Sequence, residues 1–187
     1  NLQSVKNVSP FLTSNTTQGV IRDKSALSRN AQIGWNQVQK ILEALPENGN
    51  LLVWGLGNDS PFWDGVTTGR VVFLEDGDMT TNLIQGKRWF DLMIEKYPHL
   101  EAYAVHYTTK NNDAMYNRFY SHAENWKHLE MQSLPKDVLE TCWDVILLDA
   151  PLGCCGLGPA RFQSIYMTKL LVNRSISMCG RLIHVFV

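Results

Sequence analysis

Five short apolar runs, Leu51 to Trp54, Val71 to Leu74, Ala102 to His106, Val145 to Leu148 and Leu182 to Val187, recur along the chain with helical spacing between them. Met79, Leu83, Phe90, Met93 and Tyr97 mark one helix, and Phe162, Ile165, Tyr166 and Leu170 another. Ahead of the first run, Trp35, Val38, Ile41, Leu42 and Leu45 recur at three- and four-residue steps, which predicts an amphipathic helix from about Ser25 to Leu45, stopped by Pro46. Runs of this length without polar alternation are strands buried on both faces. Joined by helices, they form a parallel sheet, because each right-handed crossover carries a helix back over the sheet. The expected architecture is a doubly wound α/β sheet, mainly parallel.

A chain of 187 residues fits one such domain. We place it over residues 24–187, with its C-terminal strands truncated, because the last apolar run stops at Val187. Residues 1–23, rich in Asn, Ser, Thr and Gln, read as a flexible arm or lid. With 17 Lys and Arg against 18 Asp and Glu, no overall basic field exists to hold nucleic acid or an anionic membrane. The apolar runs also fall far short of the roughly 18 residues that a spanning helix needs. Cys142, Cys154, Cys155 and Cys179 lack paired Cys-x-x-Cys spacing, so no metal site is expected, and disulfides are left open.

The first run continues as Leu51-Leu-Val-Trp-Gly-Leu-Gly-Asn-Asp59. Gly55 and Gly57 allow a sharp turn and a close approach to a ligand lying over the strand's carboxyl end. An ordinary strand-to-helix turn uses the same residues. Pro61 stands where a dinucleotide fingerprint has its third glycine. Glu75 ends the second run, 18 residues after Gly57, where a carboxylate can accept both hydroxyls of a ribose. Read alone, Glu75, Asp76 and Asp78 are equally a solvated acidic turn. Asp149 ends the fourth run, which the expected order sets beside the first, so a glycine turn and two carboxylates converge on one crevice. His106 and His184 are structural or catalytic histidines, with the structural role ahead.

Taken in order, Leu-Val-Trp-Gly-Leu-Gly-Asn-Asp-Ser with Trp63, Val-Phe-Leu-Glu-Asp, Val-His-Tyr-Thr-Thr, Trp-Asp-Val-Ile-Leu-Leu-Asp-Ala-Pro and His-Val-Phe resemble the plant polysaccharide-biosynthesis domain family. That family includes glucuronoxylan 4-O-methyltransferases and arabinogalactan methyltransferases. The resemblance implies a Rossmann-like class I methyltransferase fold and S-adenosyl-L-methionine as cofactor. It assigns Gly55, Gly57, Asp59 and Ser60 to the cofactor loop, Glu75 to the ribose and Asp149 to the boundary between cofactor and substrate. Pro159-Ala-Arg161 resembles the family's Pro-Gly-Arg segment, with Ala160 in place of Gly; Arg161 then pairs with a uronic acid carboxylate, or is simply a surface Arg that opens a helix. Asn58 stands where the family has His. A His-Asp pair is expected just past the His-Val-Phe segment, where this chain ends. A Golgi lumenal location is implied, the anchor being absent from this chain.

The function expected from these readings is methyl transfer from S-adenosylmethionine to a sugar hydroxyl of a glycan, such as glucuronic acid of a xylan. Asp149 is the first candidate to orient or deprotonate the acceptor and His106 the second. Alternatives are a methyltransferase for a small hydroxylated metabolite, a non-catalytic binding or assembly module of the same fold, and a nicotinamide oxidoreductase, which the missing glycine disfavours.

Overall fold

In the computed structural model, residues 33–77, 88–120, 122–151 and 158–187 are described. The expected arm over residues 1–23, together with Asp78, Met79, Leu83, Cys154 and Cys155, lies outside them. The elements run α1 (Trp35–Ala44), β1 (Leu51–Trp54), α2 (Ser60–Asp64), β2 (Val71–Asp76), α3 (Trp89–Lys96), β3 (Ala102–Val105), α4 (Asp113–Tyr120), a 3-10 helix (Ala123–Leu129), α5 (Lys136–Glu140), β4 (Val145–Leu148), α6 (Phe162–Cys179) and β5 (His184–Phe186). All five strands are parallel, in the order β3-β2-β1-β4-β5. The chain therefore steps outward from β1 to β3, then returns to the other side of β1 for β4. The crevice of a doubly wound sheet opens at that reversal.

Successive residues of a strand face opposite sides of the sheet, and here both sides are covered. Leu51, Val53, Val71, Phe73, Val145 and Leu147 pack with α1, α2 and α3. Leu52, Trp54, Val72, Leu74, Ile146 and Leu148 pack with α5 and α6. Burial on both faces explains why β1, β2 and β4 carry no polar alternation.

Several boundaries differ from the sequence expectation: β3 stops at Val105, one residue short of His106, and the described part of the helix expected from Met79 begins at Trp89, after extended Arg88. The described part of the first helix begins at Trp35 instead of continuing from Ser25, because Gly34 is extended (φ −73°, ψ 146°) and acts as the N-cap, its N–H donating to Gln37 Oε1 at 3.1 Å. β2 extends to Asp76, so Glu75 lies within the strand. β5 is confined to His184–Phe186.

The amino ends of the strands are tied by side chains. Asn50, just ahead of β1, donates its N–H to Asp144 Oδ2 (2.8 Å) and its Nδ2 to the Cys142 carbonyl (2.9 Å), and its Oδ1 accepts from the Arg70 N–H (3.0 Å). It thereby touches the starts of β2 and β4 at once. Arg70 donates to Glu101 and to Asp137 on α5, and its guanidinium lies 5.7 Å from the centre of the buried Trp143 ring. A disulfide joins Cys142 to Cys179 at the end of α6, settling a pairing that the sequence left open. Among the described residues no helix is long and apolar enough to cross a membrane.

Candidate active site

At the opposite end of the sheet, β1 and β4 stay paired to their last residues: the Asp149 and Ala150 N–H groups both donate to the Trp54 carbonyl, at 2.9 and 2.7 Å. Trp54 is in register with Leu74 of β2 and with Leu148 of β4. The next residue on each chain is Gly55, Glu75 and Asp149, so the three strand-end residues picked from the sequence sit on one rung.

Gly55 has φ +128°, a conformation that side chains of L-residues rarely adopt, and a Cβ there would lie 3.1 Å from the Ala150 Cβ. The turn that follows is held from several sides. The Leu56 N–H donates to Glu75 Oε2 at 2.7 Å, the Leu56 carbonyl accepts from Trp89 Nε1 on α3 at 2.5 Å, and the Gly57 N–H donates to Ser60 Oγ at 2.8 Å. Asp59 caps α2 and accepts from Trp63 Nε1 at 3.2 Å. Asn58, the departure from the family pattern, accepts from Lys96 Nζ at 3.0 Å.

Glu75 is only 6% exposed. Burial pushes its carboxyl up to about 7, reinforced by the nearby Asp76 and Asp149 and opposed by its hydrogen bonds from the Leu56 and Asp76 N–H groups. In the unfolded chain the same group loses its proton near 4.5. The folded protein thus holds an extra proton between these values, and the stability it brings is fully present below pH 4.5 and is lost as pH rises through 7. We expect the denaturant midpoint to fall over this window, by on the order of 3 kcal/mol of stability from Glu75. Glu75→Gln should flatten the fall, leaving the shallower slope of Asp149; an unchanged slope in that variant would assign the titration elsewhere.

Asp149 is open to solvent along one side, and among the described residues no hydrogen bond ends on its carboxylate. Partial burial raises its pKa first, then the charge of Asp59, with Arg161 opposing. Arg161 caps α6 and spends three of its donors on main-chain carbonyls of the β4 exit: Nε to Pro151 (3.0 Å), an Nη to Leu148 (3.4 Å) and the other Nη to Asp149 (2.9 Å). It braces the segment that carries Asp149. Ala160, beside it, has φ +59° and is buried, the left-handed backbone that a glycine adopts without strain and that costs an L-residue roughly 1–2 kcal/mol. The chain keeps the path that Gly would take, at that cost.

His106 lies one residue past β3, on the edge strand and two positions beyond the rung of Glu75, which is in register with Ala104. Its side chain is exposed and its N–H donates to Ser133 Oγ at 2.9 Å. The structure therefore does not set it on the rung with Asp149. His184 begins β5, at the opposite end of the sheet.

Sequence reasoning missed two residues. Tyr107 shares its side of the chain with buried Val105, since His106 points away, and this period-two step was the available signal. Its hydroxyl pairs with Ser164, and burial together with the charges of Glu75 and Asp76 drives its pKa well up. Gln163, almost fully buried on α6, accepts the Thr108 and Thr109 N–H groups at 2.7 and 3.2 Å, while Thr109 Oγ1 donates to the Pro159 carbonyl at 2.6 Å. The loop after β3 is thereby clasped to the start of α6.

No solved structure matches the chain. Glucuronoxylan 4-O-methyltransferase 2 of Arabidopsis thaliana is 35% identical over 135 residues, covering 66% of this chain and 43% of that protein. Protein IRX15-LIKE of the same plant is 31% identical over 157 residues (74% and 45%), and arabinogalactan O-methyltransferase 1 is 27% identical over 155 (75% and 49%). The chain spans less than half the length of each. A family model described as IRX15/IRX15L/GXM matches residues 36–187, every described strand and helix after Trp35 included, and the chain belongs to that family.

Proposed function

We propose that this chain carries the donor site of an S-adenosylmethionine-dependent O-methyltransferase that acts on a sugar hydroxyl of a glycan, with glucuronic acid of a xylan as the acceptor. The observation that carries the reading is the single rung of Gly55, Glu75 and Asp149 at the point where the strand order reverses. The donor set fits the cofactor. Glu75, Asp76, Asp149 and Asp59 suit a ligand with a cationic centre and a neutral ribose, and the absence of a side chain at Gly55 and Gly57 leaves room for it. A pyrophosphate fits poorly, because the Gly57 N–H is already given to Ser60 and Pro61, in the first turn of α2, has no N–H to offer.

When bound, S-adenosylmethionine supplies a methyl group already activated on a sulfonium. The chain's own work is then positioning and proton removal. The Gly55 to Ser60 turn, with Asp59 and Ser60, backs the ligand. Glu75 receives one N–H on each oxygen and keeps further lone pairs for the ribose hydroxyls. Asp149, whose raised pKa makes it a better base, orients the acceptor hydroxyl and takes its proton, with His106 as the second candidate. Arg161 has five donors and uses three, and the remaining two are assigned to a uronate carboxylate. A Golgi lumenal location agrees with the Cys142 to Cys179 disulfide, since such bonds persist in oxidising compartments.

The test is calorimetry of S-adenosylmethionine and of a nicotinamide dinucleotide, followed by methyl transfer to glucuronoxylan. Binding of the first and not the second is expected, and the reverse overturns the cofactor assignment. Asp149→Asn should leave donor affinity within about twofold and lower transfer about 100-fold, the lower range for a positioned acid or base. Full transfer by that variant would move the base away from Asp149.

A further inference from the structure

The region between β3 and β4 holds an exposed aromatic surface that the donor site does not use. On α4, Tyr116 and Tyr120 are one turn apart and stack, ring centres 4.7 Å apart and planes 17° from parallel. They are 48% and 69% exposed. Trp126, on the 3-10 helix, is partly exposed and fixed by its Nε1 donating to the Phe119 carbonyl at 2.8 Å. Packing accounts for the other side of α4: Phe119 is buried, its ring centre 5.7 Å from that of Phe162, the first residue of α6 and the neighbour of Arg161. It does not account for two stacked rings turned to water, and an exposed aromatic patch of this kind marks a binding surface.

We infer that Tyr116, Tyr120 and Trp126 form a platform on which the sugar rings of an acidic glycan chain lie as it leads into the site, an inference that rests on the glycan reading above. Tyrosine offers a flat, electron-rich face to the C–H side of a sugar ring, orders little on binding because it has few rotatable bonds, and keeps a hydroxyl for the ring's own hydroxyls. Charge fits as well. Over residues 110–130, Lys110, Arg118 and Lys127 stand among Asp113, Glu124 and Glu130, with Glu124 3.0 Å from the His122 ring. Lys169 adds a further cation, 4.8 Å from the centre of the Trp126 ring. Counted with Lys169, this surface carries one more cation than carboxylates, in a chain of net charge −1. The placement is that of an extended subsite. The Asn111 N–H donates to the Gly158 carbonyl at 2.8 Å, which ties the start of the segment to the Arg161 side of the site. From Phe162 to Lys169 the surface follows α6 for about 10 Å. A polymer held there presents its next sugar at high effective concentration.

The experiment measures binding of soluble glucuronoxylan and of free glucuronic acid to the full chain, by affinity electrophoresis and calorimetry, without relying on turnover. Tyr116→Leu with Tyr120→Leu should weaken polymer binding about tenfold or more, while Tyr116→Phe with Tyr120→Phe, which keeps the rings, stays within about threefold. Free glucuronic acid and S-adenosylmethionine should bind all forms alike. Tyr120→Leu alone, at the more exposed ring, gives a second measurement should the double variant melt early. Equal polymer binding by wild type and the Leu forms, no polymer binding by wild type, or a wild-type dimer that the Leu pair makes monomeric would each overturn the platform. Tyrosine-dependent polymer binding without methyl transfer would instead overturn the enzymatic reading and leave the platform standing.

Discussion

Gly57→Val is expected to bring S-adenosylmethionine binding below what calorimetry detects, a loss of more than about 100-fold, while the melting temperature shifts by only a few degrees. A Cβ on Gly57 would sit 2.9 Å from Asp59 Oδ1, closer than side chains tolerate, and Asp59 is itself held by Trp63 Nε1. The turn must therefore shift, and the valine methyl groups then occupy the space assigned to the ligand. Overpacking of this kind costs up to roughly 3 kcal/mol, which is about two orders of magnitude in affinity. The fold should survive because Gly57 lies beyond the last residue of β1 and, unlike its neighbour Leu56, outside both buried clusters. Gly55→Ala should differ, costing stability as well, since φ +128° is closed to alanine. Wild-type affinity in Gly57→Val would remove the turn from the donor site.

The second large effect is expected from the disulfide. Cys142→Ser with Cys179→Ser should lower the unfolding free energy by about 3–4 kcal/mol, because the bond closes a loop with a sequence separation of 37 residues and restricts the unfolded chain accordingly. For a chain of this length that is a fall of roughly 10 °C in melting temperature. The same fall should appear when the wild type is melted with reductant, and the variant should be indifferent to it. Identical melting of oxidised and reduced wild type would show the two thiols unpaired in solution. The loop encloses β4, Asp149, Arg161 and nearly all of α6, so the substitution also loosens the frame behind the site.

How far the sequence reached depends on where each signal is stored. The runs Leu51–Trp54 and Val145–Leu148 were legible because two-sided burial forces every residue to be apolar, and Glu75 and Asp149 followed because each ends such a run. α2, α5 and the 3-10 helix were not legible, being too short to show a period. α4 escaped for a different reason: its outer face is Tyr116 and Tyr120, which obey no burial pattern. The first helix was begun near Ser25 although its apolar period starts only at Trp35, and extended Gly34 sets the start there. Within the site, the brace formed by Arg161 and the clasp formed by Gln163 depend on carbonyls and N–H groups 10 to 55 residues away, which spacing along the chain does not reveal. His106 shows what a strand-end position leaves open. A polar residue at a strand end was given weight, although β3 lies at the sheet's edge, away from the rung.

Asn50 gives the arrangement a further property. Its three hydrogen bonds fix where β1, β2 and β4 begin, and the rung of Gly55, Glu75 and Asp149 stands a set number of residues above that base. The base works as a ruler with three graduated arms. One residue inserted in any single arm would displace its site residue by about 3.3 Å and turn its side chain to the other face of the sheet. Change in the proposed donor site is therefore confined to substitution and to the loops above the rung, whereas the lengths of these three strands can vary only together.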